Sequence, residues 1–149
     1  MKKLILIILT ITLITGCKKQ NIEKMYLEDK YYNESEYIEV TARDIKKLNQ
    51  ETYLVFTYNN YCNLKIPCDT IFKKVMDKYN ITILSLPFEE MKRTFIYDKV
   101  KYAPSVVIVK QNKVISYLDA EKNEDYNKYQ NENEFEKWLS KYIYLNRSA

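Results

Sequence analysis

Tyr53-Leu54-Val55-Phe56-Thr57-Tyr58 is a continuous apolar, β-branched and aromatic run. Such a run suits a strand buried on both faces, as in a sheet covered by helices. Asn59 to Pro67 follows as a loop that holds Cys62. From Cys68 to about Tyr79, Ile71-Phe72, Val75-Met76 and Tyr79 recur at i, i+4 and i+8, which predicts a helix. Pro67 fits its first helical position, where the missing N–H is no loss.

The rest of the chain extends this strand–helix unit in both directions. Upstream, Tyr37-Ile38-Glu39-Val40 has the composition of a short strand. Thr41 is a good N-cap, with Asp44 in the first turn, and Ala42, Ile45 and Leu48-Asn49 give a short helix. Downstream, Ile81 to Leu86 is a third strand, stopped by Pro87. Phe88 to about Lys101 is amphipathic, with Met91, Phe95, Ile96 and Val100 at helical spacing. Tyr102-Ala103-Pro104 interrupts. Ser105 to Val109 and Val114 to Leu118 form a hairpin in which Asn112 is expected at positive φ. Ala120 to Gln130 is a polar loop, and Glu132 to Leu145 closes as a helix with Phe135, Trp138-Leu139 and Tyr142-Ile143 on one face. The order β-α-β-α-β-α-β-β-α implies an α/β fold, with a mixed central sheet of four to five strands and helices on both faces.

The N-terminus carries a different signal. Lys2 and Lys3 precede an apolar run, Leu4 to Ile14, broken only by Thr10 and Thr12, and the small residues Thr15 and Gly16 follow. These are the marks of a secretory signal over residues 1–16. The run is too short for the ~20 residues that a membrane-spanning helix needs. Leu13-Ile14-Thr15-Gly16-Cys17 resembles a bacterial lipobox, which implies cleavage before Cys17 and a diacylglycerol on its sulfur. The expected location is the extracytoplasmic side of the cell membrane, anchored by lipid. Residues 17–35 are polar and without clear periodicity, a tether on the order of 25 Å if coiled, although Tyr26, Leu27, Tyr31 and Tyr32 offer packing to the domain at 36–149.

Composition excludes several chemistries. Of 24 basic residues two lie in the signal, so against 20 acidic ones the mature chain carries +2, too balanced to argue for nucleic acid. The chain has no histidine, which removes imidazole general-base chemistry and His-ligated metal. Its only glycine is Gly16, so the mature chain has no Gly-rich phosphate or dinucleotide loop. With Cys17 assigned to the lipid, Cys62 and Cys68 remain as a pair in a compartment that permits disulfides. Two cysteines without histidine make a poor zinc site, so neither metal nor cofactor is expected.

From Tyr37 to Tyr144 the chain resembles the thioredoxin fold. A buried strand leads to a cysteine-bearing helix start, Tyr58 and Tyr61 lie four and one residues before Cys62, and Ala103-Pro104-Ser105-Val106 resembles the segment that holds a cis proline before the hairpin. The resemblance implies a three-layer thioredoxin-like fold. It implies Cys62 as the exposed nucleophile, Cys68 as the buried resolving thiol, and Ala103 and Pro104 as substrate-binding residues. Such chemistry needs two thiols in reach, one to attack a partner disulfide and one to resolve the mixed disulfide. A helix N-terminus favours the thiolate.

The chain departs from the family in two places. Its cysteines are spaced C-x5-C rather than C-x-x-C, and Phe56 stands where the family often has a buried acid. Lys65, inside the loop, is a candidate to stabilise a thiolate or is simply a solvated lysine. The expected function is thiol–disulfide exchange on exported proteins or peptides at the membrane. The alternative is a non-catalytic binding or interaction lipoprotein, in which a Cys62–Cys68 bond staples the loop for roughly 2–2.5 kcal/mol on the loop-entropy relation.

Overall fold

A computed structural model describes residues 23–59 and 64–147. Its strands are β1 (Tyr37–Glu39), β2 (Thr52–Tyr58), β3 (Ile83–Pro87), β4 (Ser105–Lys110) and β5 (Lys113–Tyr117). The helices are α1 (Ala42–Lys47), α2 (Cys68–Tyr79), α3 (Phe88–Met91), α4 (Tyr126–Gln130) and α5 (Glu132–Leu139), with single 3-10 turns at Asp29–Tyr31 and Phe95–Asp98. None of the helices among the described residues is long and apolar enough to cross a membrane.

The five strands form one mixed sheet in the order β1-β3-β2-β4-β5. β1, β2 and β3 run parallel, while β4 and β5 are antiparallel to their neighbours. β2 lies at the centre, and every residue from Thr52 to Thr57 is buried. Alternate side chains of a strand point to opposite faces. Phe56 meets Phe72 of α2 edge-on at 5.5 Å, whereas Tyr53 on the other face lies 6.4 Å from the ring of Tyr31. The continuous apolar, β-branched and aromatic run of β2 is thus explained by a sheet covered on both sides, as expected from its composition.

Local chemistry sets the element ends. Thr41 and Asp44 make a reciprocal capping box at α1. Asn80, at φ 51°, ends α2 in the left-handed conformation. Pro67 is the N-cap of α2 rather than its first helical residue, with an extended ψ of 124°.

Three elements differ from the sequence expectation. The amphipathic stretch from Phe88 to Lys101 is not one helix but a four-residue α3, a turn and a 3-10 segment. Thr94 breaks it: its hydroxyl donates to the Met91 carbonyl at 2.8 Å and accepts from the Ile96 amide at 3.2 Å. Met91, Ile96 and Val100 still reach the core. The Ala120–Gln130 loop contains α4, which buries Tyr129. α5 stops at Leu139 instead of Leu145, because residues beyond it are taken by the N-terminal segment. The Met25 amide donates to the Tyr142 carbonyl at 2.8 Å, and the Tyr144 amide donates back to the Met25 carbonyl at 2.9 Å. The packing offered by Tyr26, Leu27, Tyr31 and Tyr32 is made. Leu27, Tyr31 and Tyr32 are buried, and the Tyr26 ring stacks on Tyr144 at 4.5 Å.

Candidate active site at the strand ends

β2 and α2 are joined across the C-terminal edge of the sheet, and β4 begins at the same edge because Ser105 pairs with Thr57. This topology brings the start of α2 and the residue before β4 to one place. They enclose a cleft of about 380 Å³ lined by Tyr37, Phe56, Tyr58, Asn59, Pro67, Cys68, Asp69, Ser85 and Pro104. Two of the expected site residues, Cys68 and Pro104, therefore share one cavity although 36 positions separate them in the chain.

Cys68 is the first residue of α2 and is 3% exposed. Its position at the N-terminus of a twelve-residue helix places the sulfur where the unpaired amides favour negative charge. The Ala103–Pro104 peptide bond is cis. Three side chains hold that corner. Asn59 Nδ2 donates to the Ala103 carbonyl at 3.2 Å, the Tyr129 hydroxyl donates to the Pro104 carbonyl at 3.0 Å, and Ser105 Oγ donates to the Tyr102 carbonyl at 2.8 Å. Burial, above all, pushes the Tyr129 phenol well above its usual range, so it stays a neutral donor.

The floor of the cleft is aromatic. Phe56 is 7% exposed and its ring lies 5.8 Å from Tyr37, 6.1 Å from Tyr58 and 5.5 Å from Phe72. No carboxylate occupies its place, in line with the departure noted in the sequence. The Tyr37 hydroxyl donates to the Asp69 backbone carbonyl at 2.9 Å and so ties β1 to the first turn of α2. Burial first, then the nearby Asp69 and Cys68, raise the Tyr37 phenol far above its usual range, which makes it a poor proton donor at neutral pH. Lys65 is exposed and is not among the described residues that line the cleft.

Two contributors escaped the sequence reading, and both come from α4. Tyr129 supports Pro104 from behind. Gln130 clamps the end of the cysteine loop: its Oε1 accepts from the Ile66 amide at 3.1 Å and its Nε2 donates to the Ile66 carbonyl at 2.9 Å. The signal was weak because Tyr129 is the one fully buried side chain in a segment rich in Lys, Asn, Asp and Glu. Cys62 and Cys17 lie outside the described residues.

Several solved structures share this architecture. Oxidised thioredoxin from Plasmodium falciparum aligns with a TM-score of 0.51 at 11% identity, over 71% of this chain and 97% of that one. Schistosoma mansoni thioredoxin gives 0.51 at 18% identity, over 73% and 97%. Malassezia sympodialis thioredoxin gives 0.51 at 10% identity, over 74% and 93%. No protein-family model and no curated protein matches the chain. At these identities the likeness establishes the fold: a thioredoxin-like α/β domain with a mixed five-stranded sheet.

Proposed function

We propose that this chain is a membrane-anchored, extracytoplasmic thiol–disulfide oxidoreductase, held by lipid on Cys17 and acting on exported proteins or peptides through Cys62 and Cys68. The observation that carries the reading is the meeting of Cys68, at the N-terminus of α2, with cis-Pro104 in one mostly apolar cleft. A buried thiol beside a helix N-terminus suits a resolving group, and an apolar cleft beside it suits an extended client segment.

The exchange balances as follows. The Cys62 thiolate attacks one sulfur of a client disulfide, that S–S bond breaks, and the departing client thiolate takes a proton from solvent. A Cys62–client disulfide is left. Cys68 then gives up its proton and attacks Cys62 Sγ, so the Cys62–Cys68 disulfide forms and the second client thiol is released. The client gains two electrons and the protein loses two. The same steps in reverse oxidise a client dithiol.

Replacing Cys68 by Ser removes the resolving thiol and should leave client chains trapped on Cys62, seen as bands that collapse under reductant. Absence of any trapped partner, together with no reductase activity in the unaltered chain, overturns the reading.

A second reading is favoured by Phe56, which puts a hydrocarbon ring where proton transfer from Cys68 would use an acid. In it the domain is a non-catalytic interaction module and the Cys62–Cys68 bond a staple. That reading requires a reduction potential below about −300 mV, as for structural disulfides, and function that survives replacement of both cysteines by alanine. A redox titration of the chain separates the two.

A further inference from the structure

The two ends of the sheet differ in what they present. The cleft sits at the C-terminal ends of β2 and β3. The N-terminal segment enters at the opposite pole. There the Glu28 amide donates to the carbonyl of Thr52, the first residue of β2, and Tyr32 bridges to Ile81 just before β3. α2 and α5 run side by side from the cleft towards this pole, as shown by the ion pairs Lys74–Glu132 and Lys78–Glu136. The segment after α5 then meets Met25 there.

This far pole carries an exposed aromatic pair. Tyr26 and Tyr144 stack at 4.5 Å yet are 43% and 42% exposed. Lys24 Nζ lies 5.7 Å over the Tyr144 ring. Tyrosine and lysine together suit the headgroup layer, where a ring is half in hydrocarbon and an ammonium reaches water and phosphate.

We infer that the Tyr26–Tyr144 face rests on the bilayer that holds the lipid of Cys17, and that the cleft consequently points away from that membrane. The inference rests on the proposed anchor. Chain length is its main argument. Because residues from Met25 onward are bound to the domain, only seven residue steps separate Cys17 from Lys24, at most about 25 Å however they are arranged. A domain of this size is about 35 Å across. Turning the cleft to the membrane would raise Lys24 nearly that far above the headgroups, beyond the reach of the chain. With the aromatic face down, the same chain is long enough. The client is therefore a segment that approaches from the extracytoplasmic side, and not one lying in the bilayer surface.

The test uses the full lipidated chain in phosphatidylglycerol–phosphatidylcholine vesicles that carry a headgroup nitroxide. Trp138 is the only tryptophan, so one added tryptophan is read against the unaltered chain. Tyr26→Trp is expected to lose its added emission in nitroxide vesicles. Tyr102→Trp, exposed beside cis-Pro104, is expected to keep it. Equal quenching of the two, or quenching of Tyr102→Trp alone, overturns the orientation while leaving the anchor intact. Tyr26→Trp unquenched in a chain with the mass of a dimer assigns the face to a second copy instead. Failure of the chain to float with vesicles, with Cys17→Ala no different, overturns both the anchor and the orientation.

Discussion

Tyr129 and Tyr53 are both fully buried phenols, but they contribute to the fold with opposite sign. The Tyr129 hydroxyl donates to the Pro104 carbonyl at 3.0 Å, so its removal leaves a buried acceptor at the cleft wall without that bond. Tyr129→Phe is expected to lower the unfolding free energy by about 1–3 kcal/mol, measured by urea denaturation. The Tyr53 hydroxyl has no hydrogen-bond partner among the described residues. Its burial is a net penalty, so Tyr53→Phe is expected to raise the same free energy by up to about 1 kcal/mol. A destabilised Tyr53→Phe would show that the hydroxyl has a partner in solution. The two residues also mark how much of the site was legible. Cys68 and Pro104 carry chemistry that a sequence displays directly, a thiol at a helix start and a proline before a hairpin. The role of Tyr129 depends on a carbonyl 25 positions away, and nothing local to a polar segment announces that.

At the scale of elements, α2 was legible because burial imposes a period on its residues, and β2 and β4 because burial on both faces leaves continuous runs of apolar and β-branched residues. Two expectations failed where hydrogen bonds overrode the period, and the third, α4, was missed because Tyr129 is its one buried residue. Thr94 splits an amphipathic stretch that hydropathy alone extends through Lys101. Thr94→Val keeps the shape but removes both bonds. It is expected to cost about 1–2 kcal/mol, read from the denaturation midpoint, and a neutral outcome would locate the break elsewhere. The β4–β5 hairpin turns through Gln111 at φ 48° and Asn112 at φ 58°. Positive φ was expected at Asn112, but a two-residue turn matched to the twist of its strands demands it at both positions. Glutamine is poorly suited to that region, whereas Asn-Gly suits it best. Gln111→Asn with Asn112→Gly is therefore expected to stabilise the chain by about 1 kcal/mol, seen as a higher urea midpoint with unchanged slope.

The whole molecule buries the phenols of Tyr31, Tyr32, Tyr53 and Tyr129, and this shapes its response to alkali. The chain has fifteen tyrosines, and desolvation pushes the phenols of Tyr53 and Tyr129, among others, above their ordinary value near 10. Below pH 10 the folded and unfolded chains both hold these protons, so stability does not depend on the two groups. Above pH 10 the unfolded chain sheds them while the folded chain keeps them. The unfolded state then binds fewer protons, and stability must fall as pH rises. Each group contributes up to about 1.4 kcal/mol per pH unit in that window. A domain with the usual margin of about 5–15 kcal/mol should therefore lose its fold within a few pH units above 10. Composition alone does not reveal this, since a count of fifteen tyrosines does not say which of them are buried. What turns composition into behaviour is the sheet covered on both faces, which buries Tyr53 under the N-terminal segment and Tyr129 under β4. Replacing both by phenylalanine is expected to flatten the loss between pH 10 and 12 by roughly 2–3 kcal/mol per pH unit, measured as urea midpoints across that range. A double variant whose alkaline slope matches the unaltered chain would show that other groups, and not these two phenols, govern the transition.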